Sequence, residues 1–129
     1  MQKHPIKIFS GSSHPELASE IAKNLRTKLS PMHISKFACG EIYAKPGETV
    51  RGCDVFLVQT ATQNINEDLI ELFVMLDAFK RSFADKIHVI MPHYGYSRQD
   101  RVATPREPIS AKLMADLISA AGADHVITM

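Results

Sequence analysis

The sequence predicts an α/β domain, a Rossmann-like three-layer αβα arrangement built on a mainly parallel sheet. Two observations predict it. Strand-type runs alternate with amphipathic helix-type runs along the whole chain, the pattern of a parallel sheet covered on both faces. One run, Asp54-Val55-Phe56-Leu57-Val58-Gln59, is apolar on both faces, as a central parallel strand is. With 129 residues and 45% hydrophobic content, the chain can bury a real core as one domain.

Ile6 to Phe9 reads as the first strand. After the turn Ser10-Gly11-Ser12-Ser13, the pair Ser13 and Glu16 with Pro15 between them forms a capping-box pattern that opens a helix. Leu17, Ile21, Leu25 and Leu29 give that helix one apolar stripe, and Pro31 stops it. Met32 to Phe37 is a second strand. Gly40 to Arg51 reads as a short extended excursion turned at Lys45-Pro46-Gly47-Glu48. Beyond the central strand, Asn66 is placed to cap a helix whose inner stripe is Leu69, Leu72, Phe73, Leu76 and Phe79. Ile87 to Met91 is a buried strand ended by Pro92. Ser110 to Ala121 is a helix with Leu113, Met114, Leu117 and Ile118 inside and Gly122 as its stop. His125 to Met129 reads as a last strand. With nothing after it, the chain reads as a truncated piece of a larger protein, because such strands normally deliver functional residues from their carboxyl ends.

Fifteen Lys and Arg against 14 Asp and Glu leave a net charge of +1, which argues against a dedicated nucleic-acid binder. No apolar run is long enough to span a membrane, and Met1 to Pro5 runs into a strand without a secretory apolar segment. A cytoplasmic location is the expectation. Cys39 and Cys53 lack a CxxC spacing and read as free thiols, and the six histidines form no helical metal pair, so no metal ligand is assigned.

The chemistry concentrates in the connection after the Ile87 strand. Tyr94-Gly95-Tyr96-Ser97-Arg98-Gln99-Asp100-Arg101 runs on to Arg106 and then Ser110-Ala111-Lys112. Such strand-to-helix connections lie at the carboxyl edge of the sheet, where ligands bind. Guanidinium groups offer paired planar donors that match phosphate oxygens, so the loop reads as a polyphosphate and nucleotide site. Composition alone leaves a solvated basic loop equally open. Phe37-Ala38-Cys39-Gly40-Glu41 is a second, weaker candidate: an aromatic beside a glycine and an acid suits a purine, although on the residues alone Phe37 reads more often as a core side chain. The Ser10 to Ser13 turn matches neither GxGxxG nor GxxxxGK[ST] and reads as a plain connection. No catalytic triad is supported.

These segments resemble ribose-phosphate pyrophosphokinase, also called phosphoribosyl pyrophosphate synthetase, over its amino-terminal half. Lys7 to His14, Phe37 to Glu41, Val50-Arg51-Gly52, Asn66 to Leu72, Tyr94 to Arg101, Arg106 to Lys112 and Gly122 to Met129 carry the resemblance in order. It implies a phosphoribosyltransferase-like fold for residues 1–129, acting as the ATP-binding and oligomerisation domain, with the catalytic carboxyl-terminal domain absent. It also implies transfer of the diphosphoryl group of Mg-ATP to the C1 hydroxyl of ribose 5-phosphate, giving phosphoribosyl pyrophosphate and AMP.

By carry-over, Arg98, Gln99, Asp100 and Arg101 line the ATP site, with Arg98 and Arg101 as the catalytic cations. Phe37, Cys39, Gly40 and Glu41 contact adenine bound mainly to a neighbouring subunit, so a homo-oligomer, a hexamer in the family, is implied. Arg51 and Arg106 fall at positions for a regulatory phosphate or ADP. The Mg²⁺ ligands, in an Asp-Leu-His motif, are expected beyond Met129, and the isolated chain is expected to be inactive. Cys39 stands where the family usually has Asp or Asn, which puts base selectivity in question. A non-catalytic regulatory or assembly homologue that binds nucleotide is the alternative.

Overall fold

A computed structural model describes residues 3–129; the Met1 and Gln2 of the amino-terminal lead-in lie outside the described residues. In chain order the elements are β1 (Ile6–Ser10), α1 (Pro15–Asn24), β2 (Met32–Lys36), β3 (Ile42–Pro46), β4 (Asp54–Val58), α2 (Ile65–Arg81), β5 (Lys86–Ile90), α3 (Ser110–Ala121) and β6 (His125–Ile127). Four strands form a parallel sheet in the order β1-β4-β5-β6. The Asp54 run is an interior strand, paired with β1 on one side and β5 on the other.

Strand alternation sorts the side chains into two cores. Phe9, Val55, Leu57 and Val89 pack with Leu72, Met75, Leu76 and Phe79 of α2 and Ile118 of α3. Phe9 and Phe79 meet as tilted rings 4.8 Å apart. Ile8 and Val58 point the other way, against Ala18 of α1. Helices therefore cover both faces, and the three-layer expectation holds.

Details of the helices differ from the sequence reading. The cap of α1 is His14, not Ser13: the His14 ring accepts from the Leu17 amide at 3.1 Å. Ser13 instead accepts from the Thr60 amide at 3.0 Å. The helix ends at Asn24, well before Pro31, as Arg26 turns to a left-handed φ of 54°. Leu25 is consequently 64% exposed, and Leu29 lies outside the helix. Ala18 and Ala22 are the buried positions, small enough to let the helix lie close to the sheet. Asn64, not Asn66, sits at the α2 N-cap, without a side-chain bond. In α3 only Ile118 of the expected stripe is fully buried; Leu113 and Leu117 are exposed. A short helix over a sheet edge has fewer neighbours than its apolar pattern can use.

The second strand does not join the main sheet. β2 and β3 pair antiparallel as a hairpin, from Met32 opposite Pro46 to Lys36 opposite Ile42. The Phe37–Glu41 segment is its turn, closed by the Phe37 amide donating to Glu41 O at 2.8 Å and by Gly40 at φ 92°. Met32, Ile34 and Ala44 pack against the α2-side core, and Lys36 pairs with Glu67 in the first turn of α2.

At the carboxyl edge of β1 and β4 a buried polar knot fixes the β1–α1 turn. Glu71 of α2 accepts from the Ser12 amide at 2.9 Å, from the Ser12 hydroxyl, and from Gln59 Nε2 at 2.7 Å. Gln59 Oε1 in turn accepts from the Ser13 amide at 3.2 Å. The Ser12 and Ser13 amides are thus already used within the fold. Gly11 lies against this knot: a Cβ there would fall 2.0 Å from Gln59 Oε1 and 2.9 Å from Met75 Cε. Gly11→Ala is therefore expected to destabilise by about 1–3 kcal/mol through overpacking, read as a lower urea midpoint with an unchanged slope.

Candidate functional site

The connection from β5 to α3 is long and carries little regular structure, yet it is tied to three elements. Near its start, His93 is held by Thr60: the His93 amide donates to Thr60 Oγ1 at 2.9 Å, and His93 O accepts from the Ala61 amide at 3.1 Å. Gly95 is buried with Ile65 and Leu69 close by, where a Cβ would come within 3.2 Å. Tyr96, at a left-handed φ of 65°, donates its hydroxyl to Asn66 Oδ1 in the first turn of α2. Tyr94 donates to Ala111 O of α3 at 2.8 Å. Burial, and to a lesser extent the charge of Asp116, push the Tyr94 phenol upward, which keeps it a proton donor into alkaline solution.

These ties shape a cleft of ≈ 750 Å³ lined by Ile65, Asn66, His93, Tyr96, Ser97, Arg98 and Gln99. Its charged wall is Arg98. Among the described residues, Arg98, Arg101 and Arg106 form no ion pair, so their donors are uncommitted. A neighbouring cleft of ≈ 220 Å³ has Glu67, Asp68 and Glu71 in its wall, the wrong sign for a phosphate.

Asp100 and Arg101 are exposed in the same loop and do not line the larger cleft. Arg106 adopts φ 73°, and Glu107 beside it accepts from the amides of Ala103 and Thr104 at 3.0 Å each. Those bonds, Thr104's first, hold the Glu107 carboxyl below the usual glutamate range.

The other candidates lie elsewhere. Phe37 is 55% exposed at the hairpin tip, edge-on to Tyr43 at 6.0 Å, so it is not a core phenylalanine. Cys39, Gly40 and Glu41 are exposed in the same turn, and none of the four lines the Arg98 cleft. Arg51 lies just before β4, at the amino edge of the sheet, with its guanidinium 4.5 Å from the Phe83 ring centroid. Arg106 precedes α3 at the opposite, carboxyl edge. One chain therefore brings Arg98, Gln99 and their cleft together, but neither the hairpin tip with the cleft nor Arg51 with Arg106. His93, Asn66 and Tyr96 join the cleft without having been singled out from the sequence. Tyr96 belongs to the loop motif and His93 directly precedes it, whereas Asn66 reaches the cleft only through tertiary contact.

Among the described residues, no group of three or more His, Cys, Asp or Glu side chains could hold a metal ion. Among the described residues, no helix is long and apolar enough to cross a membrane.

A parallel sheet with helices on both faces and a cationic connection at its carboxyl edge defines a Rossmann-like α/β domain. The family described as the N-terminal domain of ribose phosphate pyrophosphokinase matches residues 6–122, and the chain belongs to that family. It is 55% identical to the ribose-phosphate pyrophosphokinase of Clostridium perfringens, over 100% of this chain and 41% of that protein. Against the Thermotoga maritima ribose-phosphate pyrophosphokinase, identity is 50% over 96% of this chain and 39% of the relative. The crystal structure of phosphoribosylpyrophosphate synthetase from Mycobacterium smegmatis superposes with a TM-score of 0.93 at 44% identity. That match covers 96% of this chain and 42% of the other. The chain thus spans about two fifths of the length of the relatives it matches.

Proposed function

We propose that residues 1–129 are the ATP-binding and oligomerisation domain of a cytoplasmic ribose-phosphate diphosphokinase whose catalytic carboxyl-terminal domain lies outside them. The full enzyme moves the diphosphoryl group of Mg-ATP onto the C1 hydroxyl of ribose 5-phosphate, releasing AMP and the phosphoribosyl pyrophosphate used in nucleotide biosynthesis. The observation that carries this reading is the ≈ 750 Å³ cleft with Arg98 in its wall, in a chain of this family.

In this reading Arg98 and Arg101 hold the ATP phosphates, and Gln99 and Asp100 complete that side of the site. Fixed cations are what phosphoryl-group transfer asks of a protein, since catalysis there is mostly positioning and charge stabilisation. Magnesium would arrive with the ATP phosphates, whose charge it neutralises. Phe37, Cys39, Gly40 and Glu41 sit away from the cleft in one chain, which favours an adenine site completed by the hairpin tip of a neighbouring subunit. The separation of Arg51 and Arg106 on opposite sheet edges likewise favours an effector site for phosphate or ADP between subunits. Such sites require a homo-oligomer.

The test is direct. The full-length protein is expected to form AMP from ATP only when ribose 5-phosphate is present. The isolated 129-residue chain is expected to bind Mg-ATP, more tightly as protein concentration rises, and to form no AMP. Turnover by the isolated chain would overturn the division of labour. A full-length protein that binds ATP without turnover would instead support a regulatory or assembly homologue, a reading that the exposed Cys39 in the adenine turn favours.

A further inference from the structure

The amino end of α3 is completed by the loop that precedes it. Its N-cap residue, Ile109, offers no side-chain bond. The Ala111 amide donates instead to the backbone carbonyl of Gln99 at 3.0 Å. One residue earlier, the Ser110 hydroxyl donates to Gln99 Oε1 at 2.5 Å. Ser110 is only 8% exposed, one of the few buried polar residues of the chain. Gln99 is thus held at two points, through its backbone and through its side chain, by consecutive residues of one helix. Its own amide reaches back to Tyr96 O at 3.3 Å. Arg98, which has no ion pair to hold it among the described residues, is bracketed by these contacts.

We propose that Ser110 is a positioning residue for the cationic loop: through Gln99 it holds the backbone of Arg98 against α3 with the guanidinium directed into the cleft. The proposal rests on the nucleotide reading of that cleft. A loop of this length without regular structure samples many conformations, and each one excluded before binding is an entropic cost that the ligand need not meet. Replacing the hydroxyl removes one part-buried neutral hydrogen bond that holds the otherwise exposed Gln99 side chain. The helix itself keeps its packing, because its buried anchor, Ile118, lies two turns away.

The experiment compares wild type, Ser110→Ala and Ser110→Thr as the 129-residue chain, by residue-resolved amide hydrogen exchange and by calorimetric titration with Mg-ATP. Ser110→Ala is expected to speed exchange at Gln99 and Ala111 by about three- to tenfold, and to weaken ATP binding by a similar factor. Exchange in β4 and β5 should stay unchanged, and Ser110→Thr, which keeps the hydroxyl, should restore both readouts. Unchanged exchange at Gln99 and Ala111 overturns the proposal. So does an equal rise across the whole sheet, which would mark a general loss of stability, or faster loop exchange with undiminished ATP affinity. Arg98→Ala separates this from the underlying reading. If that change also leaves ATP binding untouched, the nucleotide assignment of the cleft fails, and with it any positioning role toward ATP, even where exchange shows the Ser110 contact to be real.

Discussion

Arg98→Ala in the full-length protein is expected to lower kcat/KM for ATP by roughly 30- to 1000-fold, equivalent to about 2–4 kcal/mol of lost charge stabilisation. Arg98 lines the ≈ 750 Å³ cleft and is free of ion pairs among the described residues, so the change leaves no buried partner orphaned. The midpoint of thermal unfolding should therefore stay close to wild type, since exposed substitutions away from such partners are usually small in effect. Arg98→Lys is expected to recover only part of the activity, because an ammonium keeps the charge but loses the planar paired donors. Steady-state kinetics with ATP as the varied substrate decide the matter. A loss below threefold would remove Arg98 from the site.

The largest expected effect on stability belongs to Glu71. The residue is 5% exposed, and its carboxylate accepts from the Ser12 amide, the Ser12 hydroxyl and Gln59 Nε2. Hydrogen bonds to a charged acceptor are stronger than neutral ones, and a buried donor left without a partner carries its full desolvation penalty. Glu71→Ala is expected to cost about 3 kcal/mol, net of the desolvation that the carboxylate itself no longer suffers. Glu71→Gln should be milder, since the amide keeps one acceptor oxygen but turns an N–H₂ group toward donors. Urea unfolding at neutral pH measures both. A cost under 1 kcal/mol for the alanine variant would mean that water replaces the carboxylate in the knot.

Much of the candidate site was legible from the chain because its signal is local. Arg98, Gln99, Asp100 and Arg101 are adjacent, and their place after an apolar strand and before a helix assigns them to the carboxyl edge. The limits of α3, Ser110 to Ala121, match the sequence reading for the same reason: its apolar periodicity and the Gly122 stop act within a few residues. The Phe37–Glu41 turn was visible as a candidate, but its hairpin was not. The partner strand β3 was read only as an extended excursion, since pairing depends on which surface stands ready to receive Ile34 and Ala44.

What the sequence by itself determined is the alternation of elements, the parallel α/β class, the central strand and the position of the cationic loop, all consequences of periodicity and of Gly and Pro within short windows. Tertiary structure alone decided which apolar faces are covered. It buried Ala18 and Ala22 while leaving Leu25, Leu113 and Leu117 exposed. It also decided which polar groups meet: Ser12 with Glu71 across 59 positions of chain, Tyr96 with Asn66 across 30, and Ser110 with Gln99 across 11. The physical reason is range. Periodicity records what a residue prefers beside its neighbours along the chain, whereas burial and polar partnership depend on where the other elements come to rest.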